Sequence, residues 1–187
     1  MNLPNQLTLV RILMVPVLLV VVTLQLPRGD YIAAGVFVLA ACTDGLDGYI
    51  ARKNKQETSL GKLLDPLADK LLISAALIAL VELDRLSGWV AVLIIGREFA
   101  VTGLRSMAAA EGVILAASNL GKLKTITQIV AVVAMLLRDI SFTLVDIPLG
   151  NIAMGVAVFF TLWSGMDYFQ QAGFLLDSRE RKKQGKK

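Results

Sequence analysis

The chain of 187 residues contains no histidine and a single cysteine, Cys42. Without histidine there can be no imidazole-ligated metal, no imidazole general base and no Ser-His or Cys-His nucleophile pair. A lone cysteine excludes an internal disulfide and a Cys-rich zinc site. Set among small apolar residues, Cys42 reads as packing. Aromatic residues make up only 6%, too few to favour an aromatic cage around a quaternary ammonium such as choline. Charged residues are also scarce, at 18% against 56% hydrophobic, which suits an apolar solvent better than water. Any chemistry therefore falls to carboxylates, hydroxyls, amides and cations.

The net charge of +4 is localised. Six of the nineteen Lys and Arg lie in the tail 177–187 with two acidic residues, leaving thirteen of each sign elsewhere. A basic tail of this kind reads as an anchor beside anionic membrane lipid, and a neutral remainder gives no reason to expect a nucleic-acid partner.

Six windows are long and apolar enough to suggest membrane spans: 7–26, 31–49, 63–81, 86–107, 123–137 and 147–169. Pro16 is expected to kink the first, which membrane helices tolerate. The fifth is the shortest, because Lys122 and Lys124 cut into it. The opening residues lack the basic region and cleavage site of a signal peptide. With the N-terminus inside, fourteen Lys and Arg flank the inner ends and three (Arg28, Arg85, Arg138) the outer ends. The expectation is an all-α integral membrane protein with six transmembrane helices and both termini cytoplasmic. Residues 1–176 form the membrane domain and 177–187 the basic cytoplasmic tail.

Four carboxylates break the membrane pattern within 26 residues: Asp44, Asp47, Asp65 and Asp69. A charge inside a span costs at least ~2.5 kcal/mol on insertion scales, so it is a functional hypothesis by default. Asp44 and Asp47 are spaced i,i+3 and Asp65 and Asp69 i,i+4, so each pair shares a helix face. The basic loop between them lets the two helices run antiparallel, bringing the faces together. Helix caps or interfacial charges would account for one such residue, but not for two face-aligned pairs. An all-oxygen cluster suits hard divalent ions such as Mg²⁺, Mn²⁺ or Ca²⁺. Two of them would form a clamp for phosphoryl displacement. Gly48, Ala51 and Gly61 keep the same faces low enough for a bulky ligand to approach. Arg52 places a cation at the membrane edge, where a diphosphate needs one. An ion transporter can also carry intramembrane carboxylates, but that reading leaves these small residues unexplained.

The run from Asp44 through Asp47, Gly48, Ala51, Arg52, Gly61 and Asp65 to Asp69 resembles the signature of the CDP-alcohol phosphotransferase family. All eight fixed positions of D-x2-D-G-x2-A-R-x8-G-x3-D-x3-D are present. Chance agreement is roughly 10⁻¹⁰ per start position, against which a short motif is weak. The resemblance implies a membrane enzyme that splits a CDP-linked donor, with an alcohol attacking and CMP leaving. It assigns divalent metal to Asp44, Asp47 and Asp65. Asp69 becomes the general base, with metal contact as well, in a site holding two ions (Mg or Mn). Gly48, Ala51, Arg52 and Gly61 then hold the nucleotide. Homodimerisation is implied by the same resemblance.

The acceptor is read from the remaining charges. Arg97 and Glu98 interrupt the fourth window, Arg105 follows two turns later, and Lys122 and Lys124 open the fifth. Four cations with few acids favour an anionic, phosphorylated alcohol. The competing reading pairs Arg97 with Glu98 or an aspartate in a structural bridge while the others snorkel to the interface. The segments Gly96–Phe99, Gly103–Arg105 and Gly121–Thr125, with the opening Asn2–Arg11, resemble the phosphatidylglycerophosphate-forming branch of the family. That branch implies CDP-diacylglycerol as donor, sn-glycerol 3-phosphate as acceptor and a cytoplasm-facing site in the cell membrane. Serine, inositol phosphate or phosphatidylglycerol are the rival acceptors. Asn5, Thr8 and Arg11 are candidates for the donor's phosphates, or else part of an amphipathic interfacial lead-in.

Overall fold

The structure, a computed structural model, describes the backbone of residues 3–54, 59–113, 115, 119–137 and 149–184. The side chains of 3–5, 44–54, 59–63, 65, 119 and 174–184 lie outside that description. Each apolar window becomes one helix: α1 (Leu3–Thr23), α2 (Gly29–Asn54), α3 (Ser59–Glu82), α4 (Gly88–Ala110), α5 (Asn119–Leu136) and α6 (Leu149–Gln184). Among the described residues there is no strand. Pro16 sits inside α1 and Pro66 inside α3, and both helices run on through them. The expected boundary between residues 176 and 177 falls inside α6, whose backbone stays helical to Gln184.

The helix ends follow from local chemistry. At the end of α4, Gly112 adopts φ 70° and its N–H reaches Ala109 O at 2.9 Å, while Val113 N–H reaches Ala108 O at 2.8 Å. This paired closure needs a left-handed residue just past the helix, which glycine supplies without Cβ strain. Between α3 and α4, Asp84 takes φ 55°, and the N–H groups of Arg85 and Leu86 both fold back to Leu80 O at 2.9 and 3.1 Å. Arg85 then clasps one end of the bundle. Its guanidinium donates to Asp30 Oδ2 at 2.7 Å and to Leu136 O at 3.0 Å, tying the start of α2 to the end of α5.

Helix α1 packs on α2 and α3, and α6 packs on α5 and α4, while α3 also touches α2, α4 and α5. The core between them is built from Leu18, Phe37, Leu77, Leu80, Ile94, Val132 and Leu136. Buried alanines on α3 (Ala68, Ala75, Ala76, Ala79) let its neighbours approach closely. Gly150 does the same for the α5–α6 contact, where an added Cβ would meet Met135 Cγ at 3.2 Å; around Gly35 and Gly155 there is open space.

Polarity is distributed from the inside out. Leu13, Val17, Val20, Leu39, Ile78, Val92, Val130, Ile152 and Phe159 are exposed, while Thr8, Arg11, Lys124, Gln128, Thr161 and Ser164 are buried. An apolar outer surface on this scale suits lipid and not water. Two stretches, Gln6–Thr23 and Leu149–Gly173, are by length and composition able to cross a membrane.

Candidate functional site

The described part of the site begins with Asp69. Immediately after Ala68, which is buried in the bundle, Asp69 stays 45% exposed at its side chain. Arg11 crosses from α1 to meet it, Nη1 to Oδ1 at 2.5 Å, and the guanidinium is wholly buried. Arg11 Nε also reaches Thr43 Oγ1 on α2 at 3.5 Å, and that hydroxyl donates to Ala40 O at 2.6 Å. One buried cation thus joins three helices and orients the carboxylate. Arg11 and Thr8, expected at the donor's phosphates, are both fully buried, and the Arg11 cation is bonded to Asp69.

Asp69 opens onto a cavity of about 150 Å³, lined also by Lys70, Glu98, Lys124, Thr125 and Gln128 over an apolar floor of Ala41, Leu72, Ile73 and Ile129. That is the scale of a cavity that takes a benzene-sized molecule. Lys124 enters the wall from α5 and donates to Glu98 Oε1. Glu98 also accepts from Arg97 Nη1 at 3.2 Å. Arg97 and Lys70 are the other charges in electrostatic reach of Lys124.

Arg97 stands behind the wall. Its Nε donates to Thr161 O at 3.0 Å and its Nη2 to Ser164 Oγ at 2.7 Å, both on α6. Gly165 makes room for this crossing, since a Cβ there would lie 3.3 Å from Arg97 Cγ and Nε. Gln128 Nε2 donates to Thr161 Oγ1 at 2.9 Å, which joins α5 to the same point. Among the described residues, every buried polar side-chain atom has a partner, as a packed interior requires.

Of the four cations expected at an acceptor phosphate, Lys124 lines the cavity and Arg97 is tied to Glu98 just outside it. Arg105 and Lys122 are exposed and are not part of the lining. Asn5, Asp44, Asp47, Gly48, Ala51, Arg52, Gly61 and Asp65 lie on helical backbone, but their side chains fall outside the described residues. Among the described residues no group of three or more His, Cys, Asp or Glu converges. Lys70 was not foreseen. Its signal was available, because a lysine inside a span next to a motif aspartate is itself a violation of the membrane pattern.

A model of the CDP-alcohol phosphatidyltransferase family matches residues 1–163. A Bacillus subtilis (strain 168) protein named CDP-diacylglycerol–glycerol-3-phosphate 3-phosphatidyltransferase is 46% identical over 182 residues, covering 91% of this chain and 94% of its own. Proteins of the same name from Rickettsia bellii (39% over 170 residues, covering 90% of this chain and 94% of its own) and Pseudomonas fluorescens (36% over 178 residues, covering 92% and 90%) are also similar.

Proposed function

The chain belongs to the CDP-alcohol phosphatidyltransferase family, and we propose that it transfers the phosphatidyl group of CDP-diacylglycerol to sn-glycerol 3-phosphate. The products are phosphatidylglycerophosphate and CMP. The observation that carries this reading is the shared cavity, where Asp69, held by buried Arg11, faces the same small space as Lys124 and Lys70. A base and a phosphate-sized pair of cations are what a phosphorylated alcohol needs in order to attack.

The terminal hydroxyl of the acceptor forms a bond to the phosphorus that carries diacylglycerol. The bond from that phosphorus to the oxygen of CMP breaks, the hydroxyl proton passes to the Asp69 carboxylate, and CMP leaves. Lys124 and Lys70 hold the acceptor's phosphate, and Arg11 keeps the base aimed. Holding reactant and base in register is where most of the rate arises.

Two divalent ions, Mg or Mn, belong to the same proposal, with Asp44, Asp47, Asp65 and Asp69 as their ligands. The donor set fits hard cations, since it is carboxylate-only in a chain without histidine. Helices α2 and α3, which carry the four positions, pack against each other, and Asp69 keeps an open face. Bound there, the ions supply neutralisation of the pyrophosphate charge. Gly48, Ala51, Arg52 and Gly61 would hold the nucleotide, with Asn5 and Thr8 near the donor. Arg105 and Lys122 would steer the anionic acceptor from the rim.

The six helices are proposed as six spans of the cell membrane, with both termini and the site on the cytoplasmic side and the basic tail on anionic lipid. The apolar outer surface and the excess of Lys and Arg at one end support this. Homodimerisation rests on the family resemblance alone. The test is CMP release from CDP-diacylglycerol by the purified full chain, with glycerol 3-phosphate, serine, inositol phosphate and phosphatidylglycerol offered separately. Metal-dependent release with serine and none with glycerol 3-phosphate would overturn the acceptor assignment.

A further inference from the structure

A phosphate-binding wall has no evident use for a carboxylate, yet Glu98 stands in this one beside Lys124. Its side chain is only 14% exposed, and its Oε1 takes both cations, Arg97 at 3.2 Å and Lys124. Since Arg97 is itself fastened to Thr161 and Ser164 on α6, the carboxylate is held from two sides and cannot swing away. Among the described residues its second oxygen, Oε2, takes no protein partner, and it is not a buried orphan either. Oε2 therefore keeps some exposure, on a residue that lines the cavity.

An ionised carboxylate only accepts hydrogen bonds. Its fitting partner is a neutral donor on the ligand, and in a phosphorylated alcohol that means a hydroxyl. The other charged groups of the wall have roles in the proposed reaction, and the Glu98 carboxylate is a stronger acceptor than the neutral oxygens of Thr125 and Gln128. Asp69 faces the reacting hydroxyl, Lys70 and Lys124 face the phosphate, Thr125 donates to Gly121 O at 3.2 Å and the Gln128 amide nitrogen to Thr161. We infer that Glu98 is a specificity-determining residue whose carboxylate accepts a hydrogen bond from the acceptor's second, non-reacting hydroxyl. The site thereby selects phosphorylated polyols over phosphorylated alcohols with a single hydroxyl. The inference rests on the functional reading above and deepens it.

The test compares two acceptors in the full chain under saturating metal: sn-glycerol 3-phosphate, and 3-hydroxypropyl phosphate, which lacks only the middle hydroxyl. A hydrogen bond to a charged group predicts that the wild type prefers the first by about 30-fold in kcat/KM. Glu98→Ala should bring that ratio close to one, chiefly by loss on glycerol 3-phosphate. Glu98→Gln keeps the shape and a weaker acceptor, so the ratio should fall about fivefold. If Glu98→Ala folds poorly, the Glu98→Gln ratio carries the test. A wild type without preference, or variants that lose both acceptors equally and keep the ratio, would reduce Glu98 to a spacer between Arg97 and Lys124. No CMP release from the wild type with either acceptor would instead overturn the functional reading itself.

Discussion

Arg11 and Asp69 form an unequal pair, in which the cation is completely buried and the carboxylate 2.5 Å away keeps 45% of its side-chain surface open. The buried partner is committed to the fold, and the partly exposed one is the base proposed above. Removing the carboxylate would take a partner from a buried cation, a cost that the exposure of Asp69 moderates. The bundle therefore holds its proposed base more firmly than an isolated interfacial aspartate would be held.

Asp69→Asn retains an oxygen for Arg11 but removes the proton acceptor. CMP release should fall about 10²–10⁴-fold, while binding of CDP-diacylglycerol, read by a thermal-shift titration, changes little. Asp44→Asn should instead raise the Mg²⁺ or Mn²⁺ concentration needed for donor binding. Equal loss of donor binding in both variants would sink this division of labour.

Arg11→Lys keeps the charge but gives up the planar fork that reaches Asp69 and Thr43 together. The expected result is a drop in kcat of about tenfold with KM for glycerol 3-phosphate almost unchanged. A rise in KM for CDP-diacylglycerol with kcat intact would instead return Arg11 to the donor's phosphates.

Lys124 lines the cavity, whereas Lys122, two residues away, is exposed. Lys124→Ala should raise KM for glycerol 3-phosphate about 10–100-fold, the worth of a charged hydrogen bond. Lys122→Ala and Arg105→Ala should change it less than about threefold at physiological salt, since exposed charges are screened. Lys70→Ala should resemble Lys124→Ala. Steady-state CMP release over a range of acceptor concentrations separates the four variants.

Helix count and order were legible because apolar runs broken by Pro27-Arg28-Gly29-Asp30 or Glu82–Arg85 leave few alternatives to six helices. Asp69 was legible from its spacing to Asp65, and its lock was not. Arg11 lies 58 positions upstream, and nothing in local periodicity links a residue on α1 to one on α3. The same limit hid the shape of the acceptor wall. Four cations stood out by composition, but which of them faces a cavity depends on helix rotation and on what each neighbour demands. Arg97 is claimed by the Thr161 carbonyl and Ser164, both on a helix more than sixty residues away. Glu98 was noticed only as the partner of Arg97, one of two readings left open. The bridge is there, and with Lys124 attached to it the wall carries a charge pattern that neither reading contained.

Gly165 tests whether that wall depends on its support. An added Cβ would press on Arg97 Cγ and Nε at 3.3 Å, closer than a relaxed contact, and Nε is the atom bonded to Thr161 O. Gly165→Ala should therefore cost about 1 kcal/mol or more from overpacking, and the displaced guanidinium should loosen Glu98 and Lys124. Gly155, on the same helix, has nothing within 4 Å of an added Cβ. There the substitution only removes backbone freedom from a helix interior, worth about 0.5–1 kcal/mol in favour of alanine. Thermal unfolding should thus move in opposite directions, down for Gly165→Ala and up for Gly155→Ala. Only the first should raise KM for glycerol 3-phosphate. If Gly165→Ala lowered the unfolding temperature and left that KM untouched, Arg97 would support the fold without supporting the site.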